Sequence, residues 1–351
     1  MTNKYDVIII GAGPAGSVFA MELSKRNTKL KMALINGQTE ENKKPCGGLL
    51  APDAQAELAK LNLTLPKEVL SDPQIFEVET IDIHKRLTRH YQRHYLNMDR
   101  YRFDLWLLSL VPNEVDIING RCISLSNNGS EYVIRLNDGT ELSSRYIVGA
   151  DGGGSIVRKS LFNKPLFQYT SIQQWFRCEN GAFPFYSCIF DKKTSDSCSW
   201  TICKDAYTVF GGAFKSQGCR KSFDLQKNRF EELRNCNLGE PVFTEACMVS
   251  SPRRWRDFIC GKNNVFLIGE AAGFISSSSF EGISSAILSG KLLADAFGCG
   301  SDTNKIIKLY RRYTLKLRIK LYFKTVKRFI LCSPLFRYLI MKSGIRAIKK
   351  Y

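Results

Sequence analysis

The stretch Lys44-Pro45-Cys46-Gly47-Gly48 sets a thiol between a proline and two glycines. Glycines let a loop backbone come close to a ligand. A free thiol, with a pKa of about 8.5, is mostly protonated at neutral pH, so Cys46 is suited to give or relay a proton to a bound substrate. The competing reading is a small buried residue in a tight turn, because free cysteine packs as a hydrophobe. A second stretch, Gly11-Ala12-Gly13-Pro14-Ala15-Gly16, carries the G-x-G-x-x-G spacing of a dinucleotide-binding turn. There the first glycine permits the turn, the second lets a pyrophosphate approach the backbone, and the third lets helix and strand pack closely. The amides at the start of the following helix then face the anion.

Such a turn works only between a strand and a helix, and both flanks are present. Val7–Ile10 is an apolar run, and Ser17–Ser24 is helix-like. A second strand is predicted at Lys31–Ile35. It ends at Asn36, where an acidic residue commonly binds a ribose; an amide can still bond a hydroxyl, without charge. Two later strands end in glycine-containing turns. Val148-Gly149-Ala150-Asp151-Gly152 leads to Ser155 and Arg158, and Gly269-Glu270-Ala271-Ala272-Gly273 follows Val265–Ile268. Beyond the second turn, Gly282-Ile283 opens a helix to Leu293. Asp99-Arg100-x-x-Phe103-Asp104 opens another, and residues 115–148 are expected to form a β-meander.

These stretches together resemble the flavoproteins of the p-hydroxybenzoate hydroxylase type. The resemblance implies an α/β fold: a Rossmann-type FAD-binding domain, an inserted antiparallel-sheet substrate domain, and FAD as cofactor. It implies FAD contacts from Gly11, Gly13, Ala15, Gly16, Asn36 and Asp151. Arg100 corresponds to an arginine near the pyrophosphate. Gly269, Glu270 and Gly273 correspond to the turn holding the ribityl chain and pyrophosphate, with Glu270 where that family usually has Asp. The helix after Gly282 and Ile283 would aim its positive end at the isoalloxazine.

The cysteine loop resembles the K-x-C-G-G stretch of the geranylgeranyl reductase family of FAD-dependent oxidoreductases, which implies that Cys46, Gly47 and Gly48 pass beside the flavin. Pro184-Phe185-Tyr186-Ser187-Cys188-Ile189-Phe190 resembles that family's Y-x-W-x-F substrate motif, with Cys188 in place of the tryptophan and Asp191 in place of the following proline. Asp72–Phe76, Gln173–Phe176 and Gly269–Ser285 extend the likeness to a bacterial branch over nearly the whole chain. Tyr186 is the preferred second catalytic residue, because its hydroxyl is a polar handle in an apolar cavity; Trp175, Phe176, Phe190 and Trp200 are read either as lining that cavity or, for most of them, as sheet core.

The expected reaction is reduction of carbon-carbon double bonds in a hydrophobic, isoprenoid or lipid substrate, with NAD(P)H or another electron donor. The alternatives are a flavin-dependent monooxygenase or hydroxylase, and a non-catalytic membrane-associated flavoprotein. The expected division is an FAD-binding domain at 1–70, 97–165 and 256–300, a substrate domain at 71–96 and 166–255, and a basic amphipathic helical tail at 301–351.

Composition narrows the setting. The 351 residues are 44% hydrophobic and 24% charged, as in an ordinary globular chain. The twelve cysteines include no C-x-x-C pair, so they are read as reduced thiols in the cytoplasm. No leader is expected, since the first strand begins at once, and no apolar run is long enough to span a bilayer. His84, His90 and His94 lie among arginines without ligand spacing, so they are read as a basic face rather than a metal site. The net charge is +18, and Lys305–Tyr351 holds fifteen Lys or Arg and no acid. Lys308, Arg312, Lys316, Lys320, Lys324 and Arg328 recur every four residues beside Leu309, Tyr313, Leu317, Leu321 and Phe329. That pattern suits an anionic membrane surface, giving a peripheral association with the inner membrane; the competing reading is a helix packed on the protein with a solvated face. Nucleic acid is an unlikely partner, because no recognisable module accompanies the charge.

Overall fold

The computed structural model describes residues 3–26, 29–39, 44–178, 186–300 and 302–349. In chain order its elements begin β1 (Asn3–Ile10), α1 (Pro14–Ser24), β2 (Met32–Asn36), β3 (Leu49–Leu50), α2 (Pro52–Lys60), β4 (Ile75–Asp82), β5 (Leu87–Asn97), α3 (Arg100–Ser109), β6 (Val115–Asn119), β7 (Cys122–Asn127), β8 (Tyr132–Leu136) and β9 (Glu141–Gly149). They continue with α4 (Ile156–Phe162), β10 (Gln168–Arg177), β11 (Tyr186–Phe190), β12 (Ser199–Lys204), β13 (Tyr207–Phe214), α5 (Cys219–Arg234), β14 (Phe243–Ser250), β15 (Gly261–Lys262), β16 (Val265–Leu267), α6 (Ile283–Cys299), α7 (Thr303–Tyr313), α8 (Leu315–Cys332) and α9 (Pro334–Ser343).

The first sheet runs β15-β16-β9-β1-β2-β6, with β7 and β8 attached beside β9. β16, β9, β1, β2 and β6 pair in parallel. Parallel strands covered on both faces read as unbroken apolar runs, and Val7–Ile10 and Met32–Ile35 are buried throughout. The β-meander is shorter than the sequence suggests. β7, β8 and β9 form it, while β6 leaves to pair in parallel with β2, Met32 opposite Val115.

On this sheet α1 and α6 lie side by side and point the same way. Ala15 packs at Gly290, Phe19 meets the Phe297 ring at 5.6 Å, and Arg26 pairs with Asp295. A Cβ at Gly290 would sit 2.5 Å from the Ala15 carbonyl oxygen, so only glycine allows this approach.

The second sheet runs β14-β10-β13-β12-β11-β4-β5-β3. It is antiparallel except where β11 pairs in parallel with β4, Tyr186 opposite Val78. One face packs Ile172, Phe176 and Phe210 against Phe223 and Phe230 of α5. The other carries Ile202 and Lys204, which pack against Gly47 and Gly48.

The basic C-terminal segment begins inside the core. Ile306, Ile307 and Tyr310 of α7 belong to the main cluster, and the Tyr310 hydroxyl donates to Leu267 O at 3.0 Å. The regular ridge inferred from the sequence is interrupted at Thr314, whose hydroxyl bonds Tyr310 O at 2.8 Å and ends α7. Lys320, Lys324 and Arg328 turn to the body, toward Asp53, Glu281 and Asp196. No helix among the described residues is long and apolar enough to cross a membrane.

Candidate functional site

Three parallel strands, β1, β9 and β16, end side by side, which brings the three glycine stretches together. Their glycines differ in task. A Cβ at Gly11 would sit 2.5 Å from Ala150 O, and one at Gly16 would overlap Gly11 O, so both serve close packing of strand, turn and helix. Gly13 has nothing within 4 Å of such a Cβ. It therefore faces open space, at the first turn of α1. Gly13 and Gly282 are the N-caps of α1 and α6, and neither helix has a side-chain cap. Free amides and the positive ends of two co-directed helices thus meet at one end of the sheet, a setting that favours negative charge.

Asp151 anchors the second turn. One carboxylate oxygen accepts from the amides of Ile156 and Val157 at 2.7 and 3.2 Å; the other is buried without a partner. Burial raises its pKa, against the pull of hydrogen bonds from Ser155 and the α4 amides. Arg158 braces the third turn from below, donating to Ala271 O and Asp257 O, each at 2.9 Å.

Glu270 is held by protein groups, Lys44 Nζ at 2.7 Å and the Ser250 amide at 2.8 Å. Burial pushes its pKa up, but Lys44 outweighs that and holds the carboxyl below its usual range. The Gly269 amide donates to Ser289 Oγ at 2.9 Å, and Gly273, at φ +83°, closes the turn. Asn36 is engaged by protein groups: its side-chain amide donates to Asn119 Oδ1 on the paired strand β6 and its oxygen accepts from the Gln38 amide.

The cysteine loop crosses in front of these turns. Arg100 lies between Asp104, at 2.9 Å, and Cys46 Sγ, at 3.9 Å, while Gln38 holds the other oxygen of Asp104. The Gly48 amide also points at Cys46 Sγ, at 3.4 Å. Gly47 packs on Ile202, and Gly48 on the buried Lys204, whose ammonium donates to Gly48 O, Asn97 Oδ1 and Met98 O. Burial pulls the Lys204 pKa down to about 8. The thiol thus sits on a loop fixed from both sides.

Cross-strand partners share a face, so register identifies the sheet face above the loop. Cys188 is opposite Trp200, Trp200 opposite Gly211, Gly211 opposite Gln173, and Gln173 opposite Glu245. Tyr186, Ile202 and Lys204 belong to the same face. Gly211 leaves room for the Trp200 indole, whose N–H is buried and unpartnered, as is Gln173 Oε1. Tyr186 meets Tyr95 edge-on at 6.0 Å, and the Tyr95 hydroxyl donates to Glu281, the residue before Gly282. Burial, with Cys188, Cys198, Tyr95 and Glu281 around it, raises the Tyr186 pKa and keeps the phenol protonated. Cys46 and Tyr186 therefore flank one face of β12, with no bond between them.

Of the other aromatics, Phe176 and Phe190 are core, and Trp175 stacks on Phe243 at 5.0 Å and donates to Glu245. Pro184 and Phe185 lie outside the described residues. The histidines do not act as a unit: His84 and His94 are exposed, and His90 lies against Glu77 and Glu79. No metal-binding cluster occurs among the described residues. Sequence reasoning passed over Lys44, Lys204, Tyr95, Glu281 and Gly290. Only Lys44 carried a local signal, its place in the K-P-C-G-G stretch.

Comparison with known proteins agrees with this fold. Protein CbrA of Escherichia coli O6:H1 is 44% identical over 352 residues, covering 99% of this chain and 95% of its own. The family model described as lycopene cyclase protein matches residues 6–172. A geranylgeranyl bacteriochlorophyll reductase-like protein of Thermoplasma acidophilum superposes with a TM-score of 0.79 at 17% identity, over 96% of this chain and 88% of its own. PqsL of Pseudomonas aeruginosa, described as a probable FAD-dependent monooxygenase, superposes with a TM-score of 0.71 at 17% identity, over 98% of this chain and all of its own.

Proposed function

The chain belongs to the CbrA family, and from that premise we propose that it is an FAD-dependent oxidoreductase that reduces carbon-carbon double bonds of an isoprenoid or lipid substrate at a membrane surface. The observation that carries the flavin reading is the meeting of three glycine turns with two uncapped, co-directed helix N-termini. FAD fits there: Gly13 leaves open space for a pyrophosphate, and the unpartnered Asp151 oxygen leaves an acceptor for a hydroxyl. The isoprenoid class is supported by the lycopene cyclase match and by the name of the Thermoplasma acidophilum neighbour.

Bound FAD supplies two-electron redox chemistry at its ring, recharged by NAD(P)H or another donor. The chain's own residues do the rest. Gly11, Gly13, Ala15 and Gly16 present the amides of α1 to the pyrophosphate. Arg100 fixes the Cys46 loop and adds positive charge. Gly269, Glu270 and Gly273 shape the third turn, and the uncapped N-terminus of α6 at Gly282-Ile283 would favour negative charge on a reduced flavin. Cys46 holds the proton that the second alkene carbon needs. Tyr186, kept protonated by burial, is a second donor on the substrate side. The sheet face carrying Trp200 and Gln173 covers the site and excludes water.

The test is anaerobic turnover. The purified protein is expected to carry flavin, to be reduced by a nicotinamide donor, and to reoxidise with a polyprenyl alkene while the product gains two hydrogens. A protein that cannot be reconstituted with FAD ends the proposal. The structural likeness to PqsL favours a second reading, a monooxygenase. Substrate-coupled oxygen uptake, with no reduced alkene formed, selects it.

A further inference from the structure

We propose that a groove between the β4–β5 turn, the turn after β11 and α9 binds the phosphate headgroup of an anionic phospholipid in a bilayer, so that the substrate domain itself faces the membrane. The proposal deepens the membrane-surface reading above and rests on it.

The groove measures about 610 Å³. His84 and Lys85 form one wall and Lys192 and Lys193 another; Pro334, Leu335 and Tyr338 of α9 form an apolar side. None of these residues belongs to the glycine motifs. Lys342 adds a fourth lysine: it and Lys85 each approach the Tyr338 ring at 5.6 Å. Acids close to these lysines in sequence are taken. Asp82 is buried, accepting from Arg337 at 2.8 Å and from the Lys85 amide at 3.0 Å, and Asp191 is buried and paired with Arg229. Among the described residues none of the four lysines has an ion-pair partner. The groove therefore offers concentrated positive charge over an apolar wall, while the neighbouring Asp82 and Asp191 are held by arginines.

The surroundings decide which anion. A small soluble phosphate gains nothing from apolar surface. Yet Leu335 is 64% exposed, and on α8 Phe323 and Phe329 are 66% and 72% exposed. Phe336, Leu339 and Ile340 are exposed as well. Apolar side chains beside uncompensated lysines match the two layers of a lipid interface, acyl chains next to phosphates. They also correct the picture of the contact. Lys320, Lys324 and Arg328 of the sequence ridge are engaged with the body, whereas Lys85, Lys192, Lys193 and Lys342 of the groove are in no ion pair among the described residues.

The experiment is co-sedimentation of the full chain with phosphatidylcholine vesicles, with and without phosphatidylglycerol. The variant is the triple Lys85→Gln, Lys192→Gln, Lys193→Gln. All three positions are exposed, and retained flavin absorption checks the fold. Wild type is expected to prefer the phosphatidylglycerol vesicles. The triple variant is expected to lose about 100-fold in affinity, the change that about 1 kcal/mol per lysine corresponds to. Phe329→Ser is expected to keep the salt-sensitive binding and lose the salt-resistant remainder. If wild type prefers phosphatidylglycerol but the triple variant binds equally well, the groove is wrong and the membrane reading stands. If wild type does not distinguish the vesicles, or binds single-stranded RNA more tightly than either, both are wrong.

Discussion

Gly13 and Gly16 lie three residues apart in one motif, yet the structure gives them separable tasks. A methyl group at Gly16 overlaps the Gly11 carbonyl oxygen of its own turn and approaches the Ala150 Cβ of the turn after β9 at 3.3 Å. Nothing there is a flexible side-chain end that can swing away. Gly16→Ala is an overpacking change, expected to cost about 1–3 kcal/mol, with flavin and without it. Gly13 has φ −75° and ψ −173°, which any residue adopts, and a methyl group there would have no neighbour within 4 Å. At an N-cap, alanine is worse than glycine by about 1 kcal/mol at most, and the reduced freedom of the unfolded chain returns about 0.4–1 kcal/mol. The apoprotein should therefore melt at nearly the wild-type temperature. The methyl instead fills the space a pyrophosphate needs, and losing one charge-assisted bond of about 1.5–3 kcal/mol weakens FAD by about 10- to 100-fold. The assay pairs a thermal melt of flavin-stripped protein with a fluorescence titration by FAD. The reasoning fails if Gly13→Ala lowers the apoprotein melting temperature as much as Gly16→Ala, or if it binds FAD like wild type.

Cys46→Ala should retain FAD and its reduction by the donor, while alkene reduction slows by about 10²-fold or more; stopped-flow measurement of the two half-reactions separates them, and an unslowed second half-reaction returns Cys46 to a packing role. Lys44→Met removes the cation that holds the Glu270 pKa down. In wild type that lowered pKa contributes stability above the usual carboxylate value of 4.5, lost as pH falls through the lower folded value. In the variant burial dominates and lifts the folded value above 4.5, so Glu270's share of the acid loss in a melt-versus-pH series should vanish or reverse, stability there falling as pH rises. Lys204, with its folded pKa near 8 against 10.5 unfolded, should make wild type gain stability as pH rises between those values, because the unfolded chain then binds the extra proton; Lys204→Met should flatten that rise. Truncation before α7 should cost the flavin site as well as the tail, since Tyr310 holds Leu267 O directly before the Gly269 turn; an unaltered flavin spectrum in the truncated protein would contradict this.

Local rules sufficed for the strand-turn-helix units. Val7–Ile10 had to be a strand buried on both faces, and Gly11, Gly13 and Gly16 had to form the turn after it, because apolar run, glycine spacing and helix start lie within one short stretch. The unlike jobs of those glycines were also legible. Pairing over long separations was not. That residues 115–119 join β2 rather than the neighbouring hairpin depends on which edge of the parallel sheet is open. That Lys44 reaches Glu270, 226 positions away, depends on two loops brought together by β16 and the second sheet. The tail shows the limit most plainly. A four-residue charge spacing determines which lysines share a side of a helix, but not what that side meets. Tertiary packing turned Lys320, Lys324 and Arg328 toward acids on the body and left Phe323 and Phe329 outward. Helical periodicity is a property of the backbone, whereas the partner of a face is settled by the charge and shape of whatever surface the rest of the chain has built beside it.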